Sequence, residues 1–254
     1  VLVYGDNSSG DVFLTNSILT GIVKSGANIT VTTNCVVVNA PATVFQTVGA
    51  GGYYLADNSP CRNVGTTNIS SALLADLRKK TTYPPIVYSN VMITADTTLG
   101  PQAQRDTDTP DLGYHYDPVD YACRVTFLSN AVVQLLPGTA IATFGTSYGL
   151  GVNKGSALIS VGTPTCLNHI ARFTLVQEGA TTNWNGFSSS VMGDWWGGAA
   201  QSQIHCRFTD WSTPAHDTQH FQSQYEPESI QFVDCQFHGG SIYVVRPSFN
   251  MTNC

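Results

Sequence analysis

Carboxylates are concentrated in one turn-rich stretch of this chain, and their spacing could build a cation site. Asp106, Asp108 and Asp111 take positions 1, 3 and 6 of a loop, and Asp117 takes position 12. Because Ca²⁺ takes about six to eight oxygen ligands, these four residues are the candidate calcium ligands. An EF-hand loop has Gly at its sixth position and Glu at its twelfth, and neither is present here. Asx turns, in which the aspartates bind backbone amides, fit the stretch better.

A second pair of candidate ligands is His216 and His220, which are four residues apart. Histidines at this spacing bind a metal when they share one face of a helix. Pro214 precedes the pair and the neighbouring residues are polar, so we do not expect a helix. The stretch is interpreted as a solvated loop.

The tryptophans offer flat faces on which sugar rings could stack. Trp184 and Trp211 lie in stretches rich in Asn, Ser and Thr, and they are the predicted contacts for a polysaccharide ligand. Trp195 and Trp196 are adjacent in the chain and are expected to pack against the protein instead.

A catalytic constellation is not evident. Glycoside hydrolases place two carboxylates across the scissile bond, and no strand-like run here carries such a pair. Arg172, Arg207 and Arg246 alternate with apolar residues, so they are expected to face solvent. No nucleophile elbow occurs either. The sequence therefore predicts no catalytic residues.

The overall composition excludes several classes of partner. Only 11% of the residues are charged and the net charge is −6, so no basic surface is available for nucleic acid or for an anionic membrane. No apolar stretch reaches the ~18 residues that a transmembrane helix needs. Polar positions are filled instead by Thr, Ser, Asn and Gly, which suit turns and exposed strand faces.

The seven cysteines contain no C-x-x-C pair, which argues against a zinc or redox motif. Cys206 and Cys235 share a strand-like frame and are predicted to be buried thiols, because free Cys behaves as a small hydrophobe. We favour thiols over disulfides, although a few bridges would be compatible with export.

Short runs of alternating apolar residues predict an all-β fold. Examples are Ala157–Val161, Ile170–Val176 and Ile230–Phe237. Asn followed by Ser or Cys closes several runs, and Asn tolerates the left-handed backbone that a sharp corner needs. These pairs are Asn16-Ser17, Asn34-Cys35 and Asn253-Cys254.

One helix and one irregular segment interrupt this pattern. Residues 71–80 begin with Ser, contain good helix formers and end with cations, so they predict a short helix. Residues 96–121 contain three prolines and the acidic stretch, and they are expected to be irregular and rich in Asp-to-backbone hydrogen bonds.

Several motifs resemble the right-handed parallel β-helix proteins of the pectate-lyase-like superfamily, and in particular large bacterial surface proteins of that type. Tyr54–Gly65 is similar to the L-x-x-x-S-P-x-x-x-x-G segment near the end of such helices, and Asp111–Tyr116 to their D-I-G-A-Y-E tail. Leu136–Thr139, Ala157–Thr163 and Asp194–Gly198 are similar to the opening of another such helix. The resemblance implies a solenoid but is nearly silent about activity.

The order of these motifs predicts a junction between two tandem β-helices. Residues 1–120 would be the last coils of the first helix, and residues 121–254 the beginning of the second. The runs Val12–Leu19 and Phe249–Cys254 lack polar caps, so both ends are expected to stack on further repeats of the chain or on copies of it.

The expected function is that of a non-catalytic structural or adhesive segment of a secreted or cell-surface protein. The alternative is a polysaccharide lyase, a glycoside hydrolase or a carbohydrate-binding module. A groove lined by Asp, Arg and His from consecutive rungs would favour this alternative, because one fold hosts many activities.

Overall fold

The computed structural model describes residues 14–21, 34–38, 41–177, 188–193, 200–214, 218–224 and 228–254. The chain forms two compact units. The first unit comprises Val1–Thr47, Gly52–Pro84 and Gln104–Pro118. The second unit comprises Val48–Gly51, Pro85–Ala103 and Val119–Cys254.

The first unit has short strands around a small apolar core. Strands β1 (Ile18–Thr20) and β2 (Val36–Val38) pair in parallel, and β3 (Phe45–Val48) pairs with β4 (Gly51–Leu55). A 3₁₀ turn covers Pro41–Thr43. The buried apolar residues of the core are Val38, Val44, Leu55, Cys61 and Leu112.

The predicted helix is present as α1 (Ser71–Leu77). It begins where the sequence indicates, because the Ser70 side chain accepts a hydrogen bond from the Leu73 amide at 3.2 Å. It ends before residue 80, since Lys79 N donates to Asp76 O in a tighter turn.

The second unit consists mainly of three parallel sheets of six strands each. In chain order its strands are β5 (Ile86–Ser89), β6 (Met92–Ile93), β7 (Thr97–Leu99), β8 (Tyr121–Arg124), β9 (Thr126–Leu128), β10 (Val132–Leu135), β11 (Ala140–Thr143), β12 (Leu150–Val152), β13 (Ala157–Val161), β14 (Asn168–Arg172), β15 (Ser188–Met192), β16 (Ser202–Arg207), β17 (Thr209–Ser212), β18 (Thr218–Ser223), β19 (Glu228–Val233), β20 (Gln236–His238), β21 (Ser241–Val244) and β22 (Ser248–Thr252). A second 3₁₀ turn covers Phe173–Leu175.

Each strand from β5 to β19 pairs with the strand three places later in the chain. One sheet runs from β5 to β20, the second from β6 to β21 and the third from β7 to β22. Three consecutive strands, one from each sheet, therefore form one rung, and six rungs are stacked from β5–β7 to β20–β22. The all-β prediction is confirmed, and the pairing is consistent with a parallel β-helix.

The interior of the second unit is filled by side chains from alternating strand positions. Leu158, Ile204 and Ile230 share one register row across β13, β16 and β19, and all three are buried. Trp211, Phe221 and Phe232 belong to the same core. Each rung covers the apolar side chains of the next, which is the stabilising principle of a solenoid.

Sharp corners between strands carry residues with positive φ. Asn16, Asn34 and Asn253 have φ of 50°, 60° and 52°, which confirms the prediction from the Asn-Ser and Asn-Cys pairs. Asp234 has φ 52° and separates β19 from β20, so the run predicted as one strand over Ile230–Phe237 is two strands. Val125, between β8 and β9, also has φ 47°.

At several such corners, the next residue turns its side chain back to the carbonyl two residues earlier. The Thr126 hydroxyl donates to Arg124 O and the Cys235 thiol to Val233 O, each at 3.4 Å. The same two side chains also donate to the preceding rung, Thr126 to Tyr88 O at 2.9 Å and Cys235 to Cys206 O at 3.4 Å. Ser17, Thr209 and Cys254 make the same contact with the carbonyl two residues before them.

The division of the chain differs from the boundary expected near residue 121. Strands β5 to β7 already form the first rung of the second unit, because β5 pairs with β8 and β7 with β10. Residues 96–121 therefore contain strand β7, while their middle part is irregular as predicted. Whether the first unit is the end of another β-helix stays a prediction.

Candidate functional site

The acidic stretch of the first unit forms a buried network. The Asp106 carboxylate accepts the Asp111 amide at 2.8 Å and lies 2.5 Å from His115 Nε2. The other ring nitrogen, His115 Nδ1, lies 3.1 Å from Gly113 O. Burial raises the pKa of Asp106, but the hydrogen bonds from His115 and from the Asp111 amide outweigh it, so the net pKa is lowered.

Asp111 connects this stretch to Arg62. Its carboxylate accepts the Asn63 amide at 2.7 Å, Arg62 Nη1 at 3.2 Å and the Thr82 hydroxyl. Arg62 also donates to Leu55 O at 2.7 Å and stacks over the Tyr83 ring at 3.8 Å. All these bonds hold loops together, which fits a structural role.

The four predicted calcium ligands are not brought to one point. Asp106 and Asp111 are buried and use their oxygens for protein donors, whereas Asp108 is exposed and Asp117 pairs with Lys80 Nζ at 2.7 Å. In the part of the chain that the structure describes, no three His, Cys, Asp or Glu residues are placed to hold a metal ion. Calcium at this stretch stays a prediction, while the Asp-to-backbone interpretation is confirmed.

Asp120, in the second unit, is another buried aspartate whose carboxylate accepts backbone amides. Its fully buried carboxylate accepts the amides of Gln102 at 2.7 Å, Ala103 at 2.9 Å and Ala140 at 2.8 Å. Two of these backbone donors follow β7 of the first rung, and the third, Ala140, begins β11 of the third rung.

The outward face of the sheet from β5 to β20 carries a cluster that the sequence analysis did not identify. His169, Asp210 and His238 come from three adjacent strands, β14, β17 and β20. His169 Nδ1 lies 3.7 Å from Asp210 Oδ2, and His238 Nε2 lies 3.5 Å from Asp210 Oδ1. The Ser212 hydroxyl donates to Asp210 Oδ1 at 3.1 Å.

This cluster has the chemical means for acid–base work at an open surface. The side chains of His169 and His238 are 51% and 60% exposed, while Asp210 is only 18% exposed and is held by Ser212. Imidazole and carboxylate groups are among the side chains that enzymes use as general acids and bases. Irregular numbers of residues per rung separate the three positions in sequence, and only the strand register brings them together.

Trp211 requires a correction. It lies in strand β17 and not in a loop, and its side chain is fully buried against Phe232 and Phe237. A ring in this position cannot stack on a sugar. The prediction failed because the Thr-Asp-Trp-Ser run reads as polar, while alternation turns only Asp210 and Ser212 outward. Trp184 lies outside the described residues.

Three further expectations can be compared with the structure. His220 does not lie in a solvated loop as expected. It is buried in β18 with Nε2 2.8 Å from Gly239 O, and burial lowers its pKa. His216 lies outside the described residues.

Arg172, expected to face solvent, is buried. It donates to Gly145 O at 2.6 Å and to the Thr143 hydroxyl at 3.3 Å, and burial lowers its pKa to about 10. Cys206 and Cys235 are buried as predicted.

The sixth rung is the other notable surface. Strands β20, β21 and β22 each pair on one side only within the described chain. Their inward apolar side chains are therefore less covered than those of earlier rungs, with Phe249 38% and Met251 39% exposed. Ile242 and Val244 are also only partly buried, whereas Phe221 and Phe232 of the fifth rung are fully buried.

No protein-family model, curated protein or solved structure matches this chain. Among the described residues, no helix is both long and apolar enough to cross a membrane. The structural features above are thus the basis for a functional proposal.

Proposed function

We propose that this chain is a non-catalytic structural segment of a secreted or cell-surface protein, and that its solenoid assembles end to end. The observation that carries the proposal is the open edge of the sixth rung. All five residues of β22 are exposed, and among the strands that the structure describes this strand pairs with β19 alone.

An open edge of this kind favours the addition of another parallel strand. Unpaired amide and carbonyl groups form a template, and natural proteins usually blunt such edges with charge, Pro or a cap. Strands β20 to β22 contain no Asp, Glu, Lys, Arg or Pro. In the isolated chain, the added rung would come from a second copy.

We also propose that the strands of the second unit wind into a right-handed β-helix. Crossovers between parallel strands of one sheet are right-handed in about 98% of cases, which supports a right-handed β-helix. The extracellular location rests on the resemblance of the sequence motifs to bacterial surface β-helix proteins.

The proposal is tested by measuring the mass of the 254-residue chain in solution across a range of concentrations. We expect the mean mass to rise with concentration. The double variant Ile242→Lys, Met251→Lys places two cations in the open rung and should remain monomeric, because burying unpaired charge is costly.

Asn250→Lys is the matched control, since Asn250 lies on the same strand but in the outward register row of Gln231. This variant should still associate. A wild-type chain that stays monomeric at all concentrations would contradict the proposal.

A second candidate function is cleavage of an acidic or neutral polysaccharide, and the His169–Asp210–His238 cluster favours it. Consecutive rungs place two imidazoles and a carboxylate on one open face, which supplies the Asp and His, but not the Arg, of the groove that would favour the enzyme alternative. Acid–base catalysis by positioned groups of this kind accelerates reactions by about 10²–10⁴-fold.

An assay for new reducing ends, and for the ultraviolet absorbance of unsaturated sugars, separates the two functions. The structural proposal predicts no cleavage of pectin or alginate. Cleavage that Asp210→Asn abolishes and His205→Gln preserves would establish the enzyme instead. His205 is a suitable control because it is a histidine on a different sheet, in strand β16.

A further inference from the structure

Two cysteines occupy equivalent corners at the start and the end of the sixth rung. Cys235 follows the left-handed residue Asp234, and Cys254 follows the left-handed residue Asn253. The Asp234 amide donates to Thr252 O at 3.0 Å, and Asn253 Nδ2 donates to Asp234 Oδ1 at 2.6 Å. The two corners are therefore stacked directly on one another.

The parallel register of β19 and β22 also indicates that the two cysteines lie side by side. Val233 is the partner of Thr252, so continuing the parallel register by two residues places Cys235 beside Cys254. Neighbouring strands lie about 4.8 Å apart. A disulfide joins Cα atoms that are about 4.4–6.8 Å apart, so the spacing suits a bond between these residues.

The two thiols also point in the same direction. Each turns back to the carbonyl two residues earlier, Cys235 to Val233 O at 3.4 Å and Cys254 to Thr252 O at 3.3 Å. Cys235 is 3% exposed, whereas Cys254 is exposed and accessible to a reagent. Burial raises the pKa of Cys235 to about 11, and contact with the Cys254 side chain contributes to this rise.

We propose that Cys235 and Cys254 are a site of reversible disulfide formation that closes the sixth rung into a covalent ring. The oxidant is a low-molecular-weight disulfide such as glutathione disulfide. The inference is independent of the proposed function, since it concerns contacts within one chain.

The reaction proceeds by two thiol–disulfide exchanges. The Cys254 thiolate attacks glutathione disulfide, which forms a mixed disulfide on Cys254 and releases one glutathione thiolate. Cys235 loses its proton to solvent and attacks the Cys254 sulfur, which forms the Cys235–Cys254 bond and releases the second glutathione. The two cysteines are oxidised, and the reagent is reduced to two thiols.

The test is incubation of the 254-residue chain with glutathione disulfide at pH 7.5 and pH 9, followed by mass spectrometry of unreduced peptides. We expect a peptide pair joined through Cys235 and Cys254 that is two hydrogens lighter than the separate peptides. Where attack by Cys235 limits the rate, formation of this bond should speed up about tenfold per pH unit, because this second exchange needs the Cys235 thiolate.

Cys254→Ser should leave Cys235 as a thiol, and this substitution at an exposed position should not disturb folding. Cys166→Ser, at another exposed cysteine, should leave the cross-link unchanged. A stable glutathione adduct on Cys254 without the internal bond at either pH would overturn the proposal. Cross-linking only between Cys254 residues of two molecules would do the same.

Discussion

At the scale of single residues, buried carboxylates organise the turns of this protein. Asp106, Asp111 and Asp120 are each at most 4% exposed, and each accepts at least one backbone amide. An ionised carboxylate is stable inside a protein only when several donors satisfy it. These aspartates therefore stabilise irregular segments by accepting hydrogen bonds from them.

We predict that Asp106→Asn destabilises the protein by about 2 kcal/mol at pH 7, because His115 Nε2 and the Asp111 amide would lose their buried charged acceptor. The folded-state pKa of Asp106 is lowered, so its contribution is present above the ordinary Asp pKa of about 3.9 and is lost as pH falls through the folded value.

Urea unfolding followed by circular dichroism measures both effects. The difference between wild type and Asp106→Asn should shrink as the pH is lowered below about 4. Asp76→Asn on the exposed surface of α1 is the control and should change stability by less than about 0.5 kcal/mol. A pH-independent difference would refute the explanation that the ionised Asp106 carboxylate provides this stability.

At the scale of elements, left-handed corners decide where strands end. Asn90 and Val125 occupy equivalent corners of the first two rungs, with φ of 55° and 47°. Asn suits this conformation, whereas a β-branched side chain in it is strained. Val125 N nevertheless donates to Tyr148 O at 3.0 Å, so the stacked backbone holds the corner in place.

Val125→Asn should therefore stabilise the protein, by about 1 kcal/mol. Val132→Asn is the matched control, because Val132 is 40% exposed in the regular strand β10 and Asn is a poor strand residue. We expect the melting temperature to rise for the first variant and to fall for the second. A fall for both would show that Val125 is not strained.

Corners also explain how much of the fold the sequence could predict. The Asn-Ser and Asn-Cys pairs and the capped helix depend on local chemistry, so they were predictable. Asp234 and Phe208 do not have Asn's strong preference for left-handed backbone, and their φ values of 52° and 49° depend on the rungs stacked against them. The same dependence on stacking concealed the His169–Asp210–His238 cluster and the burial of Trp211.

At the scale of the whole molecule, each strand of the three sheets in the second unit pairs only with strands of the adjacent rungs, within the described residues. The stability of such an array is a sum of rung terms and interface terms. The fifth rung has a neighbour on each side, whereas the sixth has one within the described chain. The sixth rung should therefore open before the fifth.

Amide hydrogen exchange can test this order in the monomeric variant Ile242→Lys, Met251→Lys, where association does not protect the edge. Amides of β16 to β19 should exchange more slowly than those of β20 to β22, because local opening costs less where one interface is missing. Leu158→Ala, at a fully buried position of β13, should cost about 3 kcal/mol and speed exchange in the rungs on both sides of it.

Val161→Ala, at the end of the same strand but 37% exposed, is the control and should change exchange little. The comparison distinguishes a stack from a cooperative globule. In a stack, the perturbation from Leu158→Ala is strongest in β10 and β16, which pair with β13, and it weakens toward β22. Equal acceleration of every amide from β8 to β22 would mean that the second unit opens as a single body.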